Sequence, residues 1–157
     1  MKSLLQGVTL ILLLSSCDKD RVFEHNADQA GAIWLADSIA HFDFVIKDVD
    51  DSYNIFFNVR NGLHFPHSNL YIKYFLLDSL GNQIESELRN FELFNAKSGY
   101  PLGNGAGDIF ESQFLLLKNY SFLDSGKYFI DLQQYMRYDS LPEIYSVGVR
   151  VEHSTSN

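Results

Sequence analysis

Cysteine is almost absent from this chain. Its 157 residues hold one, Cys17, so no intramolecular disulfide can form. Basic residues are also scarce, twelve against twenty acidic ones, for a formal charge of −8. Neutralising nucleic-acid phosphates takes clustered lysine and arginine, and the chain has no such stripe, which argues against a nucleic-acid partner. No apolar run is long enough to span a bilayer: about 20 residues are needed to cross about 30 Å of hydrocarbon. The longest candidate, Leu4 to Leu14, has eleven positions and is broken by Gln6, Gly7 and Thr9. Helical periodicity is rare, which leaves a parallel sheet without its crossover helices. Neither Gly-Lys-Ser/Thr nor Gly-x-Ser-x-Gly occurs, so a P-loop and a hydrolase nucleophile elbow both lack their signatures.

What is present begins at the amino terminus. Lys2 followed by the apolar run has the layout of a secretory signal, and Leu14-Ser15-Ser16-Cys17 resembles a bacterial lipobox. Residues 1–16 are therefore expected to be removed, leaving Cys17 as an acylated first residue. Several acyl chains, at about 0.8 kcal/mol per buried methylene, would make that anchor permanent. Cleavage takes away only Lys2 among the charges, leaving twenty acidic against eleven basic residues. Such a body gains nothing electrostatically from anionic lipid, which predicts a domain that stands off the membrane. Residues 17–32, of mixed charge and without sustained period, are expected to form the lipidated residue and its tether. Residues 33–152 are expected to form one domain, with 153–157 as a tail.

From Ile33 onward alternation dominates. Phe42, Phe44 and Ile46 fall on one side of a strand, with His41, Asp43 and Val45 on the other. Tyr53, Ile55, Phe57 and Val59 align in a second, and Leu70, Ile72, Tyr74 and Leu76 in a third. Asp78 to Asn82 reads as the turn of a hairpin into a weaker strand over 83–93. Residues 111–122 read as one or two strands, and Asp124-Ser125-Gly126 as a second hairpin turn into 127–132. Val147, Val149 and Val151 share a face of the last strand. The segment 133–138 is the one helical candidate. About seven or eight strands at this spacing predict an all-β antiparallel sandwich, Ig-like or jelly-roll-like, with Trp34 plugging the point where the tether enters.

The ordered pieces of the chain resemble a known family. They are the lipobox, Trp34, Asn58-Val59-Arg60-Asn61, Phe65-Pro66, Asn69-Leu70-Tyr71, Gly103-x-Gly105-x-Gly107-Asp108-Ile109, Gly126-x-Tyr128, Met136-Arg137 and Val147-Gly148-x-Arg150. Together, from Cys17 to Glu152, they are similar to the gliding-motility lipoprotein GldH family of Bacteroidetes. The resemblance implies a role in gliding motility, in an envelope where gliding is associated with type IX secretion, and it implies no catalytic residues; a non-enzymatic protein without a cofactor is expected. Where the family carries a tryptophan in its glycine loop, Pro101 stands here, with Tyr100 the nearest aromatic.

The loop over 99–108 is the most unusual segment. It lacks the third glycine of a dinucleotide fingerprint, since Asp108 stands there. A flexible connection is the simpler reading, and a binding loop presenting Tyr100, Asn104 and Asp108 the functional one. Arg60 and Arg137 adjoin apolar segments and are expected to clamp carbonyls or carboxylates, or to contact a partner. His64 and His67 fall short of a zinc ligand set, and Asp48, Asp50 and Asp51 lack the glycine and terminal glutamate of a calcium loop, so no metal is expected. Glu85 and Glu87 share a face and read as solvated surface. An envelope location follows, facing the periplasm from the outer membrane, with other envelope proteins as partners. A carbohydrate-binding sandwich using Tyr71, Tyr74 or Tyr100 is the alternative.

Overall fold

The computed structural model describes residues 18–154, so Cys17 and the signal segment lie outside the described residues. The described residues are all-β, with eleven strands: β1 (Arg21–Asp28), β2 (Ile33–Leu35), β3 (Ala40–Ile46), β4 (Tyr53–Gly62), β5 (Asn69–Leu77), β6 (Gln83–Glu92), β7 (Asn104–Ala106), β8 (Ile109–Tyr120), β9 (Gly126–Gln134), β10 (Ser140–Pro142) and β11 (Ile144–His153). They form a five-stranded sheet β1-β11-β4-β8-β7, a four-stranded sheet β3-β9-β5-β6 and a small ribbon β10-β2.

The alternation read from the sequence is the alternation observed. Phe42, Phe44, Tyr53, Ile55, Phe57, Leu70, Ile72, Leu76, Ile130, Val147, Val149 and Val151 all point into one buried core between the two large sheets. Period two puts every second side chain on one face, so each strand needs a second sheet to cover its apolar half.

The order of the eight long strands decides between the two sandwich types. First pairs with last (β1·β11), second with seventh (β3·β9), third with sixth (β4·β8) and fourth with fifth (β5·β6), all antiparallel. Two further pairings, β11·β4 and β9·β5, complete the sheets. This is a jelly roll, a long antiparallel ribbon rolled over on itself. Its connections sort by end. Arg21, Tyr53, Tyr120 and Glu152 share one end through the registers Arg21↔Glu152 and Tyr53↔Tyr120 and the pairing of β11 with β4. The turns 47–52, 78–82 and 121–125 leave from this near end. The connections 29–39, 63–68, 93–108 and 135–143, three of them longer than any near-end turn, leave from the far end, about 30 Å away along the ten residues of β4.

Several expectations need correction. Residues 17–32 are not all tether: Arg21–Asp28 is edge strand β1, hydrogen-bonded to β11, with Val22, Phe23 and Ala27 packed on the core. Its outward residues Glu24, Asn26 and Asp28 gave it the look of polar linker. His153 ends β11 instead of opening a tail, and Ser154 donates its backbone N–H to the Ser52 carbonyl at 2.8 Å. Asp124-Ser125-Gly126 does not close a hairpin, because β8 and β9 lie in different sheets. Residues 133–138 form no helix. β9 runs on to Gln134, whose buried amide donates to the Tyr138 carbonyl at 2.8 Å and accepts from Met136 N–H at 2.9 Å, holding the turn that follows. Trp34 is wholly buried, but it caps the far end beside Phe57. The chain emerging from Asp18 runs along the near end instead.

Candidate interaction site

The outward face of β4 carries Asn54, Phe56, Asn58 and Arg60, alternating with the core residues, and it assembles a polar surface. Asn58 Nδ2 donates to Glu24 Oε1 at 3.1 Å and to Asn26 Oδ1 at 3.2 Å, while its own Oδ1 accepts from Gln113 Nε2 at 2.9 Å. Three strands are thereby tied by side-chain amides. Gly148 makes room for this: a Cβ there would stand 1.9 Å from Asn26 Oδ1 and 2.5 Å from the His25 carbonyl. Toward the far end Arg60 Nε pairs with Glu111 Oε1 at 2.9 Å. Beside them β7 folds back on β8 through a turn with Gly107 at φ 77°, a left-handed conformation suited to glycine. This hairpin brings Asn104 and Asp108 to Arg60, so these three expected residues line one open hollow of about 420 Å³ with Glu111. A second, of about 240 Å³, continues it across Asn58, Gln113, Asn26 and Glu24. Over 104–108 the glycine segment is thus a built strand and turn, whose Asp108 carbonyl accepts from Leu63 N–H at 2.8 Å.

The other expected residues lie elsewhere. Tyr100 is 73% exposed on the far-end loop, held by Asn95 N–H donating to its carbonyl at 2.8 Å. Arg137 sits exposed in the connection after β9, and no carboxylate lies within ion-pair distance of it among the described residues. It borders a hollow of about 460 Å³ with Tyr71, Leu88, Tyr135, Met136 and Tyr138. Of the two arginines expected to clamp, only Arg60 reaches a carboxylate, and another arginine does what was expected of Arg137. Arg89 reaches across the open edge to the Leu116 carbonyl at 3.1 Å and the Leu115 carbonyl at 3.3 Å. Tyr74 is buried, so Tyr71, Tyr74 and Tyr100 cannot form a common platform. Burial, with Glu85 and Glu87 nearby, pushes the Tyr74 hydroxyl up to about 12.

Arg150 is the residue that sequence reading undervalued. Only 15% of its side chain is exposed, and it binds Asp18 Oδ2 at 2.6 Å, Glu152 Oε2 at 2.8 Å and Glu24 Oε2 at 3.2 Å. Partial burial works against its charge, but the hydrogen bonds to Asp18 and Glu152 outweigh this and raise its pKa. Arg150 in turn holds Asp18 below the usual carboxylate range. Only position 150's place on an outward face could have hinted at this, because its partner lies 132 residues away.

Among the described residues the carboxylates with shifted pKa values lie apart from the polar hollows. The carboxylates held low are Asp18 by Arg150, Asp43 by Lys127, and Asp78 by the Asn82 side chain and backbone. Among the described residues no group of three or more histidine, cysteine, aspartate or glutamate side chains is placed to hold a metal ion. His67 packs between Phe65 and Tyr138, with ring centroids 5.5 and 4.8 Å away. Asp51 lies 2.9 Å from His153 Nδ1, and Asp48 accepts from the Asp50 N–H within its own turn.

The class is therefore a jelly-roll sandwich whose distinctive features are outward surfaces. Comparison with known proteins narrows this. The sequence profile of the family described as "GldH lipoprotein" matches residues 21–151. A protein of Christiangramia forsetii named "Gliding motility lipoprotein GldH homolog" is 35% identical over 92% of this chain and 91% of its own length. The "Gliding motility lipoprotein GldH" of Flavobacterium johnsoniae is 30% identical over 93% of this chain and 94% of its own. The chain belongs to the GldH lipoprotein family. Among solved structures, the infectious bursal disease virus VP2 subviral particle overlaps 83% of this chain and 30% of its own, with a TM-score of 0.38 and 12% identity.

Proposed function

We propose that this chain is a non-enzymatic envelope lipoprotein, anchored by acyl chains on Cys17, that takes part in gliding motility as a binding component of the motility and type IX secretion apparatus. The names of its relatives and the lipobox ending in Cys17 support the anchor and the process. One observation carries the mode of action. Arg60 of β4 and Asn104 and Asp108 of the β7–β8 hairpin converge on one open polar hollow at the end of the sandwich remote from Asp18. A tethered module presents its recognition surface away from its attachment, and loops on a rigid β scaffold supply such surfaces. We place the body in the periplasm, held to the outer membrane.

Two experiments test this reading. Deleting the gene should abolish or strongly impair cell spreading on agar, and normal spreading would end the motility claim. A Cys17→Ala protein should leave the outer-membrane fraction, whereas its retention there would end the anchoring claim. The hollow ringed by Tyr71, Tyr135 and Tyr138 favours a second reading, a glycan subsite, because aromatic faces stack on sugar rings. Titration with envelope polysaccharide that leaves tyrosine fluorescence unchanged would dismiss it.

A further inference from the structure

Cys17 is covalently joined to Asp18, and a trans peptide separates their Cα atoms by about 3.8 Å. Asp18 is itself held by Arg150 at 2.6 Å, and Asp20 accepts from the His153 N–H at 2.7 Å. No free linker therefore lies between a lipid on Cys17 and the folded body. The near end, with its three turns, must meet whatever surface that lipid enters.

Those turns carry the two most exposed large hydrophobic side chains of the described residues. Leu123 is 93% and Leu80 85% exposed, and Val49 on the third turn is 40% exposed. Neither leucine is on a loosely held loop. Phe122, its neighbour, is buried against Tyr53, Phe44, Tyr120 and Tyr128, which pins the 121–125 turn and leaves Leu123 outside. Asp78 Oδ1 accepts from Leu80 N–H at 2.9 Å and from Asn82 N–H at 2.8 Å, and its carbonyl accepts from Gly81 N–H at 3.0 Å. That wiring fixes the hairpin tip with Leu80 at its apex. Rigid presentation of a leucine to water has an unfavourable hydration cost with nothing in the fold to offset it.

We propose that the near end of the sandwich is a membrane-docking surface, in which Leu80 and Leu123, with Val49, enter the headgroup boundary of a neutral phospholipid bilayer beside the acylated Cys17. The same turns bear Asp48, Asp50, Asp51, Asp78 and Asp124 against Lys47, a balance that anionic headgroups would repel and zwitterionic ones accept. Docking fixes the domain's orientation and holds the Arg60 hollow about 30 Å from the membrane surface. This departs from the expected domain that stands off on a tether. The inference rests on the proposed anchoring of Cys17.

The test uses the acylated protein purified from membranes, reconstituted into vesicles of phosphatidylethanolamine and phosphatidylcholine with brominated acyl chains. Trp34, buried at the far end, sets a baseline that the bromines do not reach. The emission added by Leu80→Trp or Leu123→Trp should fall roughly two-fold relative to unbrominated vesicles, as for a side chain seated in the interface. Emission added by Tyr100→Trp at the far end should not change. Inserting a flexible glycine-serine segment of about ten residues between Cys17 and Asp18, with a reach of about 17 Å, should reduce the quenching. Equal, unquenched emission from all three positions in protein that sediments with the vesicles would overturn the docking surface alone. A chain that stays in solution with an unmodified Cys17 by mass spectrometry would overturn the anchoring reading and this inference with it.

Discussion

The two ends of the sandwich are built from the same ribbon and look quite different. The near end is made of three tight turns, its core closed by Phe122 and its tips bearing Leu80 and Leu123 among acidic residues. The far end is made of four connections, three of them longer, is closed by Trp34, and gathers Arg60, Asn104 and Asp108 around one hollow. A jelly roll imposes this inequality, because the first and last strands lie side by side and so bring both termini to one end. A chain attached through its first residue has its other end free to vary and to bind. On the proposed function the difference between the ends is one of role: attachment at the near end and recognition at the far one.

The comparison can be broken first at its core. Trp34→Ala should cost about 4 kcal/mol, on the order of 10 °C in melting temperature by calorimetry, since a wholly buried indole leaves a cavity and the unpaired Ser38 carbonyl it bonds at 3.0 Å. A loss under about 1 kcal/mol would mean the far end is not closed by this residue. Arg150→Ala comes next, at about 2 kcal/mol, because it leaves Asp18, Glu24 and Glu152 facing one another without a cation. It should also free Asp18, seen as faster amide exchange at residues 18–20.

The Asp18 contact has a definite pH signature. Its pKa in the folded chain lies below the ordinary 3.8, so its contribution is fully present above that value and disappears as pH falls through the lowered one. The difference in melting temperature between the parent and Asp18→Asn should be constant above about pH 5 and close in stronger acid. A difference that grows on acidification would contradict the assignment. The smallest stability effect belongs to Arg60→Ala. Its pair with Glu111 is well exposed on both sides, so folding should change by less than about 0.5 kcal/mol. Spreading should nonetheless be impaired when the variant replaces the chromosomal copy. Unimpaired spreading would remove Arg60 from the recognition surface.

Much of the fold was legible in the sequence because burial in a sandwich writes itself as period two. The faces of β3, β4, β5 and β11 follow directly from their alternating residues. Strand order was not legible, since nothing local records that β1 lies against β11 or that β8 crosses to the other sheet before β9. β1 itself was hidden because its polar residues answer Arg150 and Asn58, partners far along the chain. The candidate site was half legible. Arg60, Asn104 and Asp108 stood out singly, but only the β7–β8 hairpin brings them together, and Asn26 and Gln113 gave no sign of their own. Arg137 stood out equally and lies in the connection after β9, bordering a different hollow.

The division of roles between the ends is tested most directly in living cells by photo-crosslinking from two positions of the full-length protein. A photoreactive side chain placed at Leu123 should give adducts with phospholipid, and one placed at Asn104 should give adducts with protein and none with lipid. Lipid adducts from Asn104, or protein adducts alone from Leu123, would contradict the account.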